Sequence, residues 1–391
     1  MDAARRLGDR LDAATAHLPA PLAVVDLDRF DANARQLVAR SAGVPVRVAS
    51  KSVRVRALIA RALAHDGFAG VMAYSVREAL WLVEHGADDV LVAYPSVDRA
   101  ALAEVAASHA ALAAVTVMVD DAAHVDLLRA LGAPVRVCLD VDASLRIGRG
   151  RAVVHLGTRR SPLRTADQVA GLAADAHGAG LDVRGVMFYE AQVAGLPDSS
   201  AAVRLVKRAS VSDLVRRRRR IVDAVAAAVG HPLALVNAGG TGSLETSSAD
   251  PVVTEVTAGS GLFVPTLFDD YRAFDPRPAA FFGHDVVRTS APGWATVFGG
   301  GYAASGAAGP SRLPRPVEPG WRLTSAEGAG EVQTPLRARG SGRLLEIGDR
   351  VWFRNAKAGE PLERFTEVHL VRGDETVETV PTYRGEGQVF G

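Results

Sequence analysis

VRVASKSVRVRAL, residues 46–58, decides how the rest of the chain is read. Its first half alternates valine with arginine and predicts a strand over 46–50. A single lysine, Lys51, follows where that apolar strand ends, and a helix-like run comes next. A lysine in such a place is either a solvated edge charge or a reactive amine. The neighbouring segments distinguish the two.

Working outward, short β-branched runs alternate with alanine-rich helical stretches. Strands are expected at 21–27, 46–50, 70–75, 89–95, 113–119, 135–142, 183–190, 233–240 and 254–261. Between most of them lie helices such as SVREALWLVEHG, with apolar residues three and four apart. Repeated strand–helix units predict a parallel sheet covered by helices. Nine strands exceed a closed eight-fold barrel by one. If PLAVVDL (21–27) belongs elsewhere, eight remain, the first ending before Lys51. The fold class expected is α/β, a (β/α)8 TIM-type barrel with a C-terminal all-β domain; the rival is an open doubly wound sheet. After residue 275 glycine and proline crowd the chain, and short strands recur with turn signals between them. The expected division is 1–27 as an N-terminal segment and strand joining the β domain, 28–270 as the barrel, and 271–391 as the β domain.

Composition narrows the function classes. The 391 residues carry a formal net charge of +1, and 48% are hydrophobic, which is ordinary for a globular enzyme. RRRRR (216–220) lies in a helical stretch without interleaved aromatic residues, so it is read as a solvated helix face and not a nucleic-acid site. No window predicts a membrane span, and the N-terminus lacks the apolar core of a signal peptide. A single cysteine, Cys138, excludes an intrachain disulfide and fits a reducing cytoplasm.

On the barrel model Lys51 sits at the C-terminal end of the first strand, the end that carries active sites. NAGGTGS (237–243) and TAGSG (257–261) follow the seventh and eighth strands, where barrels cradle phosphate. Thr241, Ser243 and Ser260 offer hydroxyl donors there. A lysine facing a phosphate site points to pyridoxal 5'-phosphate; a cofactor-free Schiff-base aldolase acting on a sugar phosphate is the other reading. Arg146, in LDVDASLRIGRG (139–150), either faces the pyridine nitrogen or pairs with Asp140 or Asp142.

These residues resemble the fold-type III pyridoxal-phosphate enzymes of the alanine racemase superfamily. Within them the chain is similar to the D-threonine aldolase and D-serine dehydratase-like group, often called amino acid deaminases. The resemblance runs from PLAVVDLDRFDANAR to the terminal YRGEGQVFG. It implies that the first strand joins the β domain and that Lys51 forms the Schiff base. It implies that LRIG supplies Arg146 to the ring nitrogen and that FYEAQ (188–192) places Tyr189 near the cofactor. Cofactor binding then falls to Lys51, Arg146, Tyr189, Asn237, Gly239, Gly240, Thr241, Gly242, Gly259 and Ser260. Relatives hold a divalent metal through a histidine and, two residues on, an aspartate or cysteine. Here Asn355 and Lys357 occupy those places, so no metal of that type is expected. Lys357 is either an electrostatic substitute or a solvated loop lysine. His284 and Tyr302 are candidate bases for the opposite face, against a structural role in the β domain.

The resemblance implies a lyase acting on D-amino acids through an external aldimine, by β-hydroxy amino acid retro-aldol cleavage or by dehydration and deamination. Lys51, Tyr189, Lys357 and His284 are the catalytic candidates. The alternatives are an amino acid racemase or epimerase and a non-catalytic cofactor-binding homologue. The implied partners are a small-molecule amino acid and a second copy of the chain in a homodimer, with no nucleic acid and no membrane.

Overall fold

The computed structural model describes residues 2–148, 153–198, 200–272, 275–340 and 343–390, with side chains from Leu7 onward. Its strands are β1 (Leu22–Asp26), β2 (Val46–Ala49), β3 (Phe68–Ala73), β4 (Val90–Val92), β5 (Val115–Val119), β6 (Arg136–Val141), β7 (Leu145–Ile147), β8 (Val154–Leu156), β9 (Asp182–Phe188), β10 (Leu235–Ala238) and β11 (Glu255–Ala258). The β region adds β12 (Ala280–Ala291), β13 (Trp294–Phe298), β14 (Arg315–Pro316), β15 (Trp321–Leu323), β16 (Gln333–Ala338), β17 (Arg350–Arg354), β18 (Glu367–Arg372) and β19 (Glu375–Pro381).

β2, β3, β4, β5, β6, β9, β10 and β11 close into a parallel barrel, sealed where Val256 and Ala258 of β11 lie beside Val46 and Val48 of β2. The open-sheet alternative is thereby excluded. The two-residue period of each strand sorts its side chains. Val46 and Val48 join the large core that includes the helical residues Leu58 and Ile59. Arg47 and Ala49 take the other face. Arg47 Nε donates to Glu255 Oε1 at 2.7 Å and its Nη2 to Asp89 Oδ2 at 2.8 Å, so the strand's arginine is a buried cross-strand tie. Leu91, Met118, Cys138, Met187 and Leu235 form a separate apolar cluster, one from each of five barrel strands.

β1 leaves the barrel and enters the second sheet. It runs antiparallel to β12, with Leu22 opposite Gly283, and parallel to β18, with Val24 opposite His369. That sheet has the order β15-β16-β13-β12-β1-β18-β19, with β17 paired to β12 and β14 to β17. The glycine- and proline-crowded stretch after 275 contains a strand of 12 residues, Ala280–Ala291, longer than its turn signals predict.

Two features depart from the expected strand–helix rhythm. A short antiparallel hairpin, β7–β8, is inserted after the fifth barrel strand, with Arg146 opposite His155. The helix that carries RRRRR runs over Ala201–Val229 and is only partly solvated. Arg218 is 2% exposed and ion-pairs with Asp250 at 2.7 Å, and Arg217 Nη1 donates to the Asp142 carbonyl at 2.8 Å. Arg216, Arg219 and Arg220 face water. The run is therefore not a uniform solvated face: two of its members fasten the helix to the barrel. No helix among the described residues is long and apolar enough to cross a membrane.

Candidate active site

The end of β2 turns into a short 3-10 segment, Ser50–Ser52, that puts Lys51 at the barrel mouth. Ser50 Oγ donates to the Met72 carbonyl at 2.9 Å, and Ser52 Oγ lies 3.0 Å from Ser260 Oγ, so both flanks of the lysine are fixed. Lys51 Nζ donates to Tyr94 Oη at 2.6 Å. Burial alone would raise the Tyr94 hydroxyl. The Lys51 ammonium and, further off, the Arg160 guanidinium outweigh it and hold the phenol below its usual value.

Lys51 opens into a cavity of about 750 Å³, its mouth included, a size ordinary for a cofactor with substrate. Its floor is the inward-facing ends of the barrel strands: Ala49, Met72, Ala93, Met187, Asn237 and Thr257. One wall is the two glycine turns, Gly239–Thr241 and Gly259–Ser260. Two glycines are there for necessity. Gly239 has φ +85°, the left-handed region that side chains disfavour. A Cβ on Gly259 would lie 2.6 Å from the Ala49 carbonyl oxygen, so only glycine lets the last strand close against the lysine turn. Thr241 Oγ1 accepts from the Gly261 amide at 3.0 Å, locking the turns together.

Lys51, Tyr189, Asn237, Gly239, Gly240, Thr241, Gly259 and Ser260 thus line one cavity. The other expected residues are placed differently. Arg146 leaves the cavity: it sits on the inserted hairpin, 41% exposed, with Nη2 2.6 Å from Asp142 Oδ2. Arg160, from the segment that returns after the hairpin, lines the cavity instead. Its guanidinium lies 5.6 Å from the Tyr94 ring and 5.3 Å from the Tyr189 ring and makes no ion pair among the described residues. Ser161 Oγ, donating to the Asp140 carbonyl at 2.7 Å, pins that segment to the end of β6. Gly242 does not reach the cavity; a Cβ there would meet the Ala194 carbonyl at 2.3 Å, so it is a packing glycine. The Ser243 hydroxyl, too, is committed elsewhere, accepting from the Gly240 amide at 3.1 Å.

His284 is not at the cavity either. It is 1% exposed in β12, among Phe282, Tyr302 and Phe353. Its ring nitrogens are buried without a hydrogen-bond partner, and burial lowers its pKa to about 4, against the pull of the Phe298 backbone and Asp285. Tyr302 belongs to the same aromatic group. Lys357 sits at the rim, where Nζ donates to Ser305 Oγ at 2.7 Å. Its loop presses on the lysine turn, since a Cβ on Gly359 would lie 2.9 Å from the Lys51 carbonyl oxygen. Asn355 Nδ2 donates to the Lys357 carbonyl at 2.9 Å, and its Oδ1 is buried without a partner. An amide beside an ammonium does not fit a divalent ion, and no group of three or more His, Cys, Asp or Glu able to hold a metal occurs among the described residues.

Sequence reasoning missed four residues. Tyr94 and Arg160 flank the lysine. Glu190, at the end of β9, accepts from the Gly239 amide at 3.2 Å and from the Ser247 hydroxyl, holding the first glycine turn. Asp140, beside Arg160 and Tyr189, is pushed up to about 7 by burial and then by Asp120, against the pull of Arg160. The only sequence signals were polar residues at the ends of apolar strands and the second arginine cluster, RRSPLRT.

The donor set fits pyridoxal phosphate. It has an amine, two glycine turns whose Thr241 and Ser260 line the cavity, and between two phenol rings a guanidinium with no ion pair among the described residues. A family model, alanine racemase N-terminal domain, matches residues 25–266, and the chain belongs to that family. Its cofactor is pyridoxal 5'-phosphate. No curated protein matches the chain. Solved structures show the same fold. D-threonine aldolase from Filomicrobium marinum superposes with TM-score 0.78 at 23% identity, covering 94% of this chain and 96% of that one. D-threo-3-hydroxyaspartate dehydratase from Delftia sp. HT23 gives 0.72 at 23% identity, covering 93% and 97%. Alanine racemase from Clostridium difficile 630 gives 0.64 at 13% identity, covering 93% and 99%.

Proposed function

We propose that this member of the alanine racemase N-terminal domain family is a lyase acting on D-configured β-hydroxy amino acids. The observation that carries the reading is Lys51 Nζ, 2.6 Å from Tyr94 Oη, in a cavity walled by the two glycine turns. When bound, pyridoxal phosphate supplies an electrophilic carbon for amines and a sink for electrons released at Cα. Lys51 would hold its carbonyl carbon, the Thr241 and Ser260 amides its phosphate, and Arg160 its ring nitrogen.

Lys51 Nζ donates a hydrogen bond to Tyr94 Oη at 2.6 Å. Tyr94, its phenol held below its usual value by the lysine and Arg160, is placed to take a proton from Lys51 when the lysine must attack as a free amine. Once released by the incoming amino acid, Lys51 is the base on its own face of the cavity. Racemisation needs a second base opposite it. His284, buried in the β-region core, and Tyr302, half-buried against it, do not line the cavity. The lyase reading uses Lys51 as base on its own face, with a β-hydroxyl to expel or deprotonate. The names of the aldolase and dehydratase neighbours carry the same substrate class. Because Asn355 and Lys357 do not fit a divalent ion, the reading includes metal-independent turnover. It also includes a homodimer and a cytoplasmic setting.

The test is to incubate the cofactor-loaded protein with D- and L-threonine, D-serine and D-3-hydroxyaspartate in the presence of a chelator. Release of aldehyde with glycine marks retro-aldol cleavage, and release of keto acid with ammonia marks dehydration. Either one, from D substrates only, supports the proposal. Enantiomer interconversion without those products makes it a racemase, and no turnover makes it a non-catalytic homologue.

A further inference from the structure

The turn that carries Lys51 ends in a strained residue. Arg54 has φ +54°, the left-handed region that a residue with a Cβ disfavours. This conformation swings the chain from the Ser50–Ser52 turn into the helix over Arg56–Leu63, with Val53 and Val55 both fully buried. Glycine is the residue such a position ordinarily takes. An arginine keeps it only where its surroundings over-determine the backbone.

Those surroundings come from the C-terminal part of the chain. Arg54 Nη1 pairs with Glu363, and Arg54 Nε donates to the Lys51 carbonyl at 3.1 Å. The Arg54 carbonyl accepts from the Tyr383 amide at 2.9 Å. Tyr383 is buried, and its hydroxyl donates to Glu78 Oε1 at 2.9 Å, while Glu78 Oε2 accepts from the Tyr74 amide at 2.7 Å. Glu363 belongs to the short 3-10 segment Glu360–Arg364, whose preceding residue, Gly359, abuts the Lys51 carbonyl. The terminal motif YRGEGQVFG thereby finds its place. Its tyrosine holds the end of the lysine turn, and the Arg56–Glu386 pair at 2.5 Å and the packing of Phe390 on Trp81 hold the rest. Arg54, Glu363, Tyr383 and Glu78 do not line the Lys51 cavity, so their route to its chemistry runs through the lysine.

We infer that Arg54 is a positioning residue for Lys51. The β region, through Glu363 and the Tyr383 amide, holds Arg54 in its left-handed turn, and the Arg54 guanidinium in turn fixes the Lys51 backbone from which Nζ reaches Tyr94. The inference rests on Lys51 as the lysine that carries the cofactor, and not on which reaction follows.

The experiment is a pH titration of the visible absorbance of the cofactor-loaded protein, in wild type, Arg54→Lys, Glu363→Gln and Arg61→Met. The midpoint reports the surroundings of the nitrogen that holds the cofactor, where Tyr94, Tyr189, Arg160 and Lys357 supply the other nearby charges. Arg54→Lys keeps the charge, but a single ammonium does not bridge the Lys51 carbonyl and Glu363 as the planar guanidinium does. Arg54→Lys and Glu363→Gln should both move the midpoint by about half a pH unit or more, in the same direction, because each frees the same turn. A purely electrostatic link would move Glu363→Gln alone. A purely structural role would lower both melting temperatures and leave both midpoints in place. Either result overturns the inference. Arg61→Met breaks a pair with Asp31 on the helix that follows the turn and should leave the midpoint where it is. A shift there as large as in the other two would trace the signal to a loosened helix and overturn the inference as well. Loss of the band in Lys51→Ala with unmoved midpoints elsewhere keeps Lys51 as the cofactor lysine and removes Arg54; a band that survives Lys51→Ala removes both.

Discussion

The two sides of the cavity are built by different rules. On the barrel side, Arg160 apart, the floor and the glycine turns sit at strand ends, and the direction of the floor residues follows from the two-residue period and the closed register. Ala49, Met72 and Ala93 face inward because Val48, Val71 and Val92 face the helices. On the β-region side the rim is a loop: the stretch Asn355–Gly359, whose Gly359 abuts the Lys51 carbonyl, is held by a few side-chain hydrogen bonds, Lys357 to Ser305 and Asn355 to the Lys357 carbonyl. A scaffold of strand ends preserves geometry while loops change chemistry. The residues that fit the cofactor therefore stay on the barrel side, and Asn355 and Lys357, which do not fit a divalent ion, fall on the other.

The largest effect should come from the barrel side. Lys51→Ala should lower turnover by on the order of a thousandfold or more, because it removes the covalent anchor and the base together. Comparable loss in Lys357→Ala would erase the contrast between the sides.

The two arginines sharpen it next. Arg160→Leu should cost about tenfold to a hundredfold in turnover and weaken cofactor retention in dialysis, as removal of one placed charge does. Arg146→Leu, which breaks a half-exposed pair with Asp142, should stay within about threefold. The reverse ranking would return Arg146 to the ring nitrogen.

Gly259→Val probes how tightly the register fixes the lysine turn. With Ala49 and Ser52 atoms inside 3 Å of any Cβ, it should destabilise the fold by about 1–3 kcal/mol and loosen the cofactor. A thermal melt and a cofactor titration measure both.

The smallest effects are pH slopes of opposite sign. Glu78, buried under the lysine turn and bonded by Tyr383 Oη at 2.9 Å, is raised by burial from 4.5 to about 7. The folded protein keeps a proton there that the unfolded chain loses. That stability is full below the unfolded value and is lost as pH rises through about 7. His284 is lowered by burial from 6.5 to about 4, so its contribution is present above 6.5 and is lost as pH falls through about 4. Glu78→Gln should flatten the fall in melting temperature toward alkaline pH, and His284→Gln the fall toward acid. A slope unchanged in either variant removes that residue from the account.

Much of this was legible in the sequence. The eight barrel strands follow from β-branched runs at regular spacing, and Lys51 with the two glycine turns follows from their order along the chain. Three things were not. Arg146 sits in LRIG and carries the expected pattern, but the inserted hairpin β7–β8 carries it out of the cavity and brings Arg160 in. Local sequence does not record such a detour. Gly242 shares a motif with Gly240, yet its close contact is with Ala194 and Tyr271, from segments distant in the chain. His284 reads as a catalytic type, but its strand faces it into an aromatic cluster, a matter of sheet packing. Tyr94, Arg160 and Lys51 meet only because the barrel closes.

The most direct test of the central claim is to treat the cofactor-loaded protein with borohydride and map the modified peptide. The chain has three lysines, Lys51, Lys207 and Lys357, so the assignment has three possible answers. The account predicts the reduced pyridoxyl group on Lys51, and its loss in Lys51→Ala. A label on Lys357 or Lys207, or no label on any of the three, would contradict it.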